Sequence, residues 1–171
     1  MIESLSLRLA NHIKSVVPEH PASVAKLKFS LAIGINMSFI IALTLLISVV
    51  TDRTKEVIII MLAFAILRQM TGGFHLKTGM GCVYASTILM TVLSYISFDY
   101  IWTIGATVIS MLLILLLAPA GIEKQSRIPQ TYYPVLKWSS FVLVGVNLLV
   151  ASPLIAIAVF AQSLTLVVGR R

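Results

Sequence analysis

Charge is scarce in this chain. Lysine, arginine, aspartate and glutamate together supply 11% of its 171 residues, whereas soluble domains carry about 25%. A water-facing surface cannot be built from that inventory, so a soluble globular domain is excluded. Cysteine is scarcer still: Cys82 stands alone, which rules out an internal disulfide framework. With no second cysteine, no HExxH, and His12 and His20 far along the chain from His75, no metal and no cofactor is expected. Basic and aromatic residues are not interleaved as in nucleic-acid binders, so nucleic acid is not an expected partner. The first 20 residues hold Glu3, Arg8, Lys14 and Glu19 without a continuous apolar core, and no cleavable signal peptide is read there.

What the chain has in quantity is apolar sequence, 58% of it, with a mean hydropathy of +1.01. The expected class is an all-α, polytopic integral membrane protein forming one membrane-embedded domain. Residues 1–28 form a cytoplasmic segment containing an amphipathic helix, on which Ile2, Leu5, Leu9, Ile13 and Val16 share a stripe and Pro18 ends the helix. That helix either lies along the membrane surface or packs on the rest of the protein. Residues 29–171 form the transmembrane bundle.

Phe29–Val50 is an uncharged run of 22 residues, long enough to cross about 30 Å of hydrocarbon. Val57–Leu67, Val83–Phe98 and Ile101–Ala118 follow as spans. Val135–Ala151 and Leu154–Val168 form a final pair that either crosses or re-enters. About six transmembrane or re-entrant helices result. With six crossings and a cytoplasmic N-terminus, eleven basic residues fall inside and only Arg53 and Lys55 outside, a positive-inside distribution. The net charge of +7 suits anionic lipid headgroups. A homodimer is the expected assembly.

One segment interrupts the apolar pattern. Arg68 to Cys82, RQMTGGFHLKTGMGC, holds four glycines, His75, Lys77 and the one cysteine. On a continuous helix His75 and Cys82 would lie about 10.5 Å apart along the axis, too far for an imidazole to take a thiol proton. A productive pair needs a fold between them. Gly72-Gly73 can end the preceding helix, and Gly79 and Gly81 offer sites for reversal. Cys82 would then stand in the first turn of the span beginning near Val83. The N–H groups and dipole there would stabilise a thiolate and could hold an oxyanion. His75 would act as general acid/base and Cys82 as nucleophile.

Each residue also has a plainer reading. A lone cysteine in a membrane helix is usually an apolar filler, and a lone histidine near an interface is more often solvated. An arginine at a span end such as Arg68 is normally a snorkelling anchor. No carboxylate presents itself as an orienter of His75, Glu123 being a remote one, so a dyad is expected rather than a triad. The competing function is a non-catalytic small membrane transporter, or a peptide-export or assembly component, in which Cys82 only packs.

Arg68, Gly73, His75 and Cys82 fall in the pattern Arg-x4-Gly-x-His-x6-Cys, which resembles that of the accessory gene regulator B (AgrB) family. The stretch LAPAGIEKQSRIP, Leu117 to Pro129, resembles the family's Ala-Pro-Ala turn and the basic loop that follows it. The resemblance implies a bacterial plasma-membrane cysteine endopeptidase of quorum sensing, with a cytoplasmic site. It implies that Cys82 cleaves an AgrD-like propeptide through an acyl-enzyme thioester, which the propeptide's own nucleophile resolves into a thiolactone or lactone. Arg68, Gly73, Lys77, Lys124 and Arg127 would support the site or position the propeptide. The Lys124–Arg127 loop is less basic than the lysine runs of some family members.

Overall fold

The computed structural model describes residues 1–73, 78–121 and 129–169. Among these the regular structure is helical. The elements are α1 (Ile2–Val16), α2 (Val24–Val50), α3 (Thr54–Thr71), α4 (Gly79–Ser94), α5 (Tyr100–Leu117), a 3-10 turn (Gln130–Tyr132), α6 (Tyr133–Gly145), α7 (Asn147–Val150) and α8 (Pro153–Gly169). The protein is an all-α membrane protein. By length and composition α2, α5 and the run Gln130–Val150 can each cross a bilayer. The helices α4 and α8 are shorter and apolar, and α3 carries Lys55, Glu56 and Arg68 at its ends.

Consecutive long helices alternate in direction, as the cross-helix contacts establish. Thr44 Oγ1 donates to Thr87 Oγ1 at 3.2 Å, and Asn36 lies against Gly79. Both pairs are offset by the same 43 residues, so α2 and α4 run parallel. Gly145 meets Met111 and Asn147 meets Thr107, so α5 and the α6–α7 segment run antiparallel. Ile157 packs with Ile60 and Phe64, while Gln162 bonds to Thr71 and Gly72, so α8 runs parallel to α3. Thus α3, α5 and α8 all end at the same pole of the bundle, where α4 begins.

The packing inverts the soluble pattern. Buried positions include Thr44, Ser48, Thr87, Thr103, Thr107, Ser110, Ser140, Asn147, Gln162 and Ser163, while Leu46, Leu62, Ile88, Ile101, Leu112, Leu116 and Leu149 are exposed. Lipid is as apolar as leucine, so helices in it gain little by burying leucine against each other. They associate through small side chains that allow close approach and through interhelical hydrogen bonds. Most of the buried hydroxyls bond back to their own helix, for instance Thr107 to the Thr103 carbonyl and Ser110 to the Ala106 carbonyl. That leaves them satisfied within an apolar bundle.

Asn147 is the strongest case. Its amide donates to Thr107 Oγ1 at 3.1 Å and to the Ser152 carbonyl at 3.2 Å, and its Oδ1 accepts from the Ser152 N–H at 3.1 Å. One side chain thereby closes the turn between α7 and α8 and ties it to α5. In Asn147→Leu the Ser152 N–H and carbonyl lose these partners in an apolar setting, at roughly 1–3 kcal/mol. The expected outcome is a clearly lowered unfolding temperature in detergent, and an unchanged one would mean that the turn is held by other contacts.

Several expectations need adjustment. The helix α2 starts at Val24, five residues before the run of uncharged sequence, because Ser23 caps it by accepting from the Lys26 N–H at 3.3 Å. In α1 the buried face is Ile2, Ser6 and Ala10, whereas Leu5, Leu9 and Val16 stay exposed. The helix packs on α2, aided by a Glu3–Lys28 ion pair at 3.3 Å, and most of the expected stripe remains free for another surface. The final pair of spans meets at a left-handed Ala151 (φ 50°), with α6 and α7 separated only at Val146.

Candidate active site

The helix α3 ends where the sequence places glycine. Gly72 (φ 73°) and Gly73 (φ 130°) both occupy the positive-φ region, which side-chain-bearing residues adopt only with strain. The turn they make is pinned by a two-residue parallel bridge to the Ala118–Pro119–Ala120 corner. The Ala120 N–H donates to the Thr71 carbonyl and the Gly73 N–H donates to the Ala120 carbonyl, each at 2.9 Å. The glycine turn and the Ala118–Pro119–Ala120 corner, one from each sequence feature that carried the family resemblance, are therefore joined, a fact that their spacing of about fifty residues does not reveal.

Gly79 and Gly81 turn out differently. Helix α4 begins at Gly79, so both lie within its first turn and neither reverses the chain. Gly79 serves close approach instead: a Cβ there would sit 3.3 Å from Ile2 Cδ1 and 3.7 Å from Asn36 Oδ1. With α3 ending at Thr71 and α4 beginning at Gly79, no single helix runs through the Arg68–Cys82 segment.

Cys82 is the fourth residue of α4, its N–H bonded to the Thr78 carbonyl at 3.0 Å. It is a free, half-buried thiol. Its sulfur lies 4.0 Å from Ser86 Oγ, one turn along the same helix face. The N–H groups of Gly79, Met80 and Gly81, which precede the first hydrogen-bonded turn, are the donors of this helix terminus.

Arg68 comes to the same place from α3. Its guanidinium is within Coulombic range of Cys82, stacks 5.8 Å from the Phe64 ring centroid, and donates from Nη1 to Gln162 Oε1 at 3.5 Å. Arg68 is thus held within the bundle by Phe64 and Gln162, not extended as a headgroup anchor. His75, Lys77, Lys124 and Arg127 lie outside the described residues, as does Glu123.

Two contributors were not legible as site residues. Gln162 and Thr165 of α8 press on the glycine turn, and a Cβ at Gly73 would lie 2.5 Å from Thr165 Oγ1 and 3.3 Å from Gln162 Nε2. The signal was there in part: Gln162 is the one amide in the apolar run Leu154–Val168, and polar residues inside membrane helices tend to be functional.

The fold and site define a polytopic helical membrane protein with an isolated thiol and an arginine gathered at one pole, beside a glycine turn. The model of the family described as accessory gene regulator B matches residues 6–167, and the chain belongs to that family. A protein of Halalkalibacterium halodurans named as AgrB-like is 32% identical over 104 residues. The match covers 60% of this chain and 53% of that relative, so it spans about half the relative's length. No solved structure matches the chain.

Proposed function

We propose that this protein is a membrane cysteine endopeptidase that cleaves an AgrD-like propeptide and cyclises it. The observation that carries the reading is the half-buried Cys82 at the start of α4, at the pole where α3 ends with Arg68 and the glycine turn, in a chain of the AgrB family. The Cys82 sulfur attacks the carbonyl carbon of a propeptide peptide bond, forming a C–S bond. The C–N bond then breaks as His75 protonates the departing amine, which frees the C-terminal tail.

The result is a thioester on Cys82. A thiol or hydroxyl within the retained propeptide next attacks that carbonyl, transferring its proton through His75 back to the Cys82 sulfur. The product is a thiolactone or lactone and the enzyme is restored. Exchange between two thioesters has little driving force either way, so ring closure depends on holding the internal nucleophile near the acyl carbon and on keeping water from the site.

In this reading the pole carrying Gly72, Ala120 and Cys82 faces the cytoplasm of a bacterial cell, as the distribution of basic residues argues. Lys77, Lys124 and Arg127 complement acidic parts of the propeptide, and the protein works as a homodimer among anionic lipids. The test is intact-mass analysis after co-expression with a propeptide. A hydroxylamine-labile adduct on Cys82, with the mass of the N-terminal propeptide fragment, is expected. Propeptide that copurifies without any adduct, or is exported uncleaved, supports a binding or export component instead.

A further inference from the structure

Gln162 is fully buried in α8, and all of its polar atoms are turned on the site. Its Nε2 donates to the Gly72 carbonyl at 2.7 Å and to Thr71 Oγ1 at 3.3 Å. Its Oε1 accepts from Arg68 Nη1 at 3.5 Å and from Thr165 Oγ1 at 3.2 Å. Thr165 has one hydroxyl proton to share between that oxygen and the nearer Gln162 carbonyl at 2.7 Å. A buried amide in an apolar helix is costly unless satisfied, and here every partner but Thr165 belongs to the end of α3.

We propose that Gln162 is the positioning residue of this site: its amide oxygen fixes the Arg68 guanidinium beside Cys82, while its amide nitrogen holds the glycine turn. The inference rests on the reading of Cys82 as the reactive group and identifies what orders its cationic neighbour. Arg68 has a long, flexible side chain, and an unanchored guanidinium at a span end would swing toward the headgroups. The Phe64 ring and Gln162 are among the contacts that confine it. An element nearly a hundred residues away in sequence therefore sets the electrostatics at the thiol.

The single cysteine makes this testable without any propeptide. In purified full-length protein, alkylation of Cys82 by anionic iodoacetate is compared with alkylation by neutral iodoacetamide. A fixed cation near the sulfur favours the anionic reagent and raises the rate ratio. Arg68→Ala removes that excess, and Gln162→Met, which keeps the volume but not the amide, is expected to remove most of it. The double variant should fall no further than Arg68→Ala, since both act through one group. A loss of packing alone would move both alkylation rates together and leave the ratio in place.

Gln162→Asn, which keeps an amide too short to reach, gives the same answer should the Met variant fail to elute as a single species. A ratio that stays at the parental value in the Gln162 variants while Arg68→Ala lowers it overturns the proposal. So does a ratio indifferent to Arg68. Should Cys82→Ala still process propeptide while the ratio follows Gln162, the peptidase reading falls and the positioning role stands.

Discussion

Gly73→Ala is expected to cut propeptide processing about 100-fold, the effect of displacing reacting groups by roughly 1 Å. Two independent costs meet at this residue. Its φ of 130° lies where a side chain strains the backbone, at about 1–3 kcal/mol. The added methyl would also stand 2.5 Å from Thr165 Oγ1, inside any real contact distance. Thr165 cannot simply turn away, because its hydroxyl is held by the Gln162 carbonyl at 2.7 Å.

Relief must come from shifting α8 or from opening the turn, and either one disturbs the Gly73–Ala120 hydrogen bond at 2.9 Å. Adding Thr165→Ala should recover part of the lost activity, since it removes the clash and leaves the strain. The measurement is cleavage of a co-expressed, tagged propeptide on gels. Parental activity in the single variant would mean that the close approach of α8 to the turn does not matter to the chemistry.

Cys82→Ala should abolish processing outright, and His75→Ala should lower it by about 10²–10⁴-fold, the usual contribution of a general acid/base. The two losses differ in kind. Without the sulfur there is nothing to carry the acyl group, and neither the cleavage nor the ring closure has a route. Without the imidazole both steps remain possible, but each must move its proton unaided.

Neither substitution is expected to affect folding much. Cys82 is half-buried, its sulfur only 4.0 Å from Ser86 Oγ, and truncation to alanine removes one small atom from a partly open position. Equal expression and a monodisperse elution profile are therefore expected alongside the loss of activity. Processing that survives in either variant at the parental rate would remove the dyad.

Much of this architecture is written in local sequence. Long uncharged runs specify the crossing helices because lipid leaves the backbone no other way to satisfy its hydrogen bonds. Gly72-Gly73 marks the end of α3 because only glycine accepts those dihedrals without strain, and Arg68, Gly73 and Cys82 stand out by type and spacing.

What could not be read is whatever depends on three-dimensional register. Gly79 and Gly81 look like turn residues in sequence, yet the helix starts at Gly79, where close packing against Ile2 and Asn36 is another reason for glycine. The apolar stripe of α1 leaves open whether it faces lipid or protein, and the face buried in the fold is Ile2, Ser6 and Ala10. Gln162 is the one amide in an apolar run, and its meaning appears only when α8 is laid parallel to α3. The bridge between Gly72 and Ala120 is equally invisible in sequence, since it joins distant backbone atoms rather than side chains.

The whole account turns on whether His75 reaches Cys82, and the presence of one native cysteine allows this to be measured directly. His75→Cys creates a chain with two thiols, which are treated in membranes with a bifunctional methanethiosulfonate carrying a one-carbon spacer, then digested and mapped by mass spectrometry. The account predicts rapid linkage between position 75 and Cys82, faster than for a cysteine placed at Tyr84 on the exposed side of α4. Two thiols that each react singly with the reagent yet never become linked would contradict it.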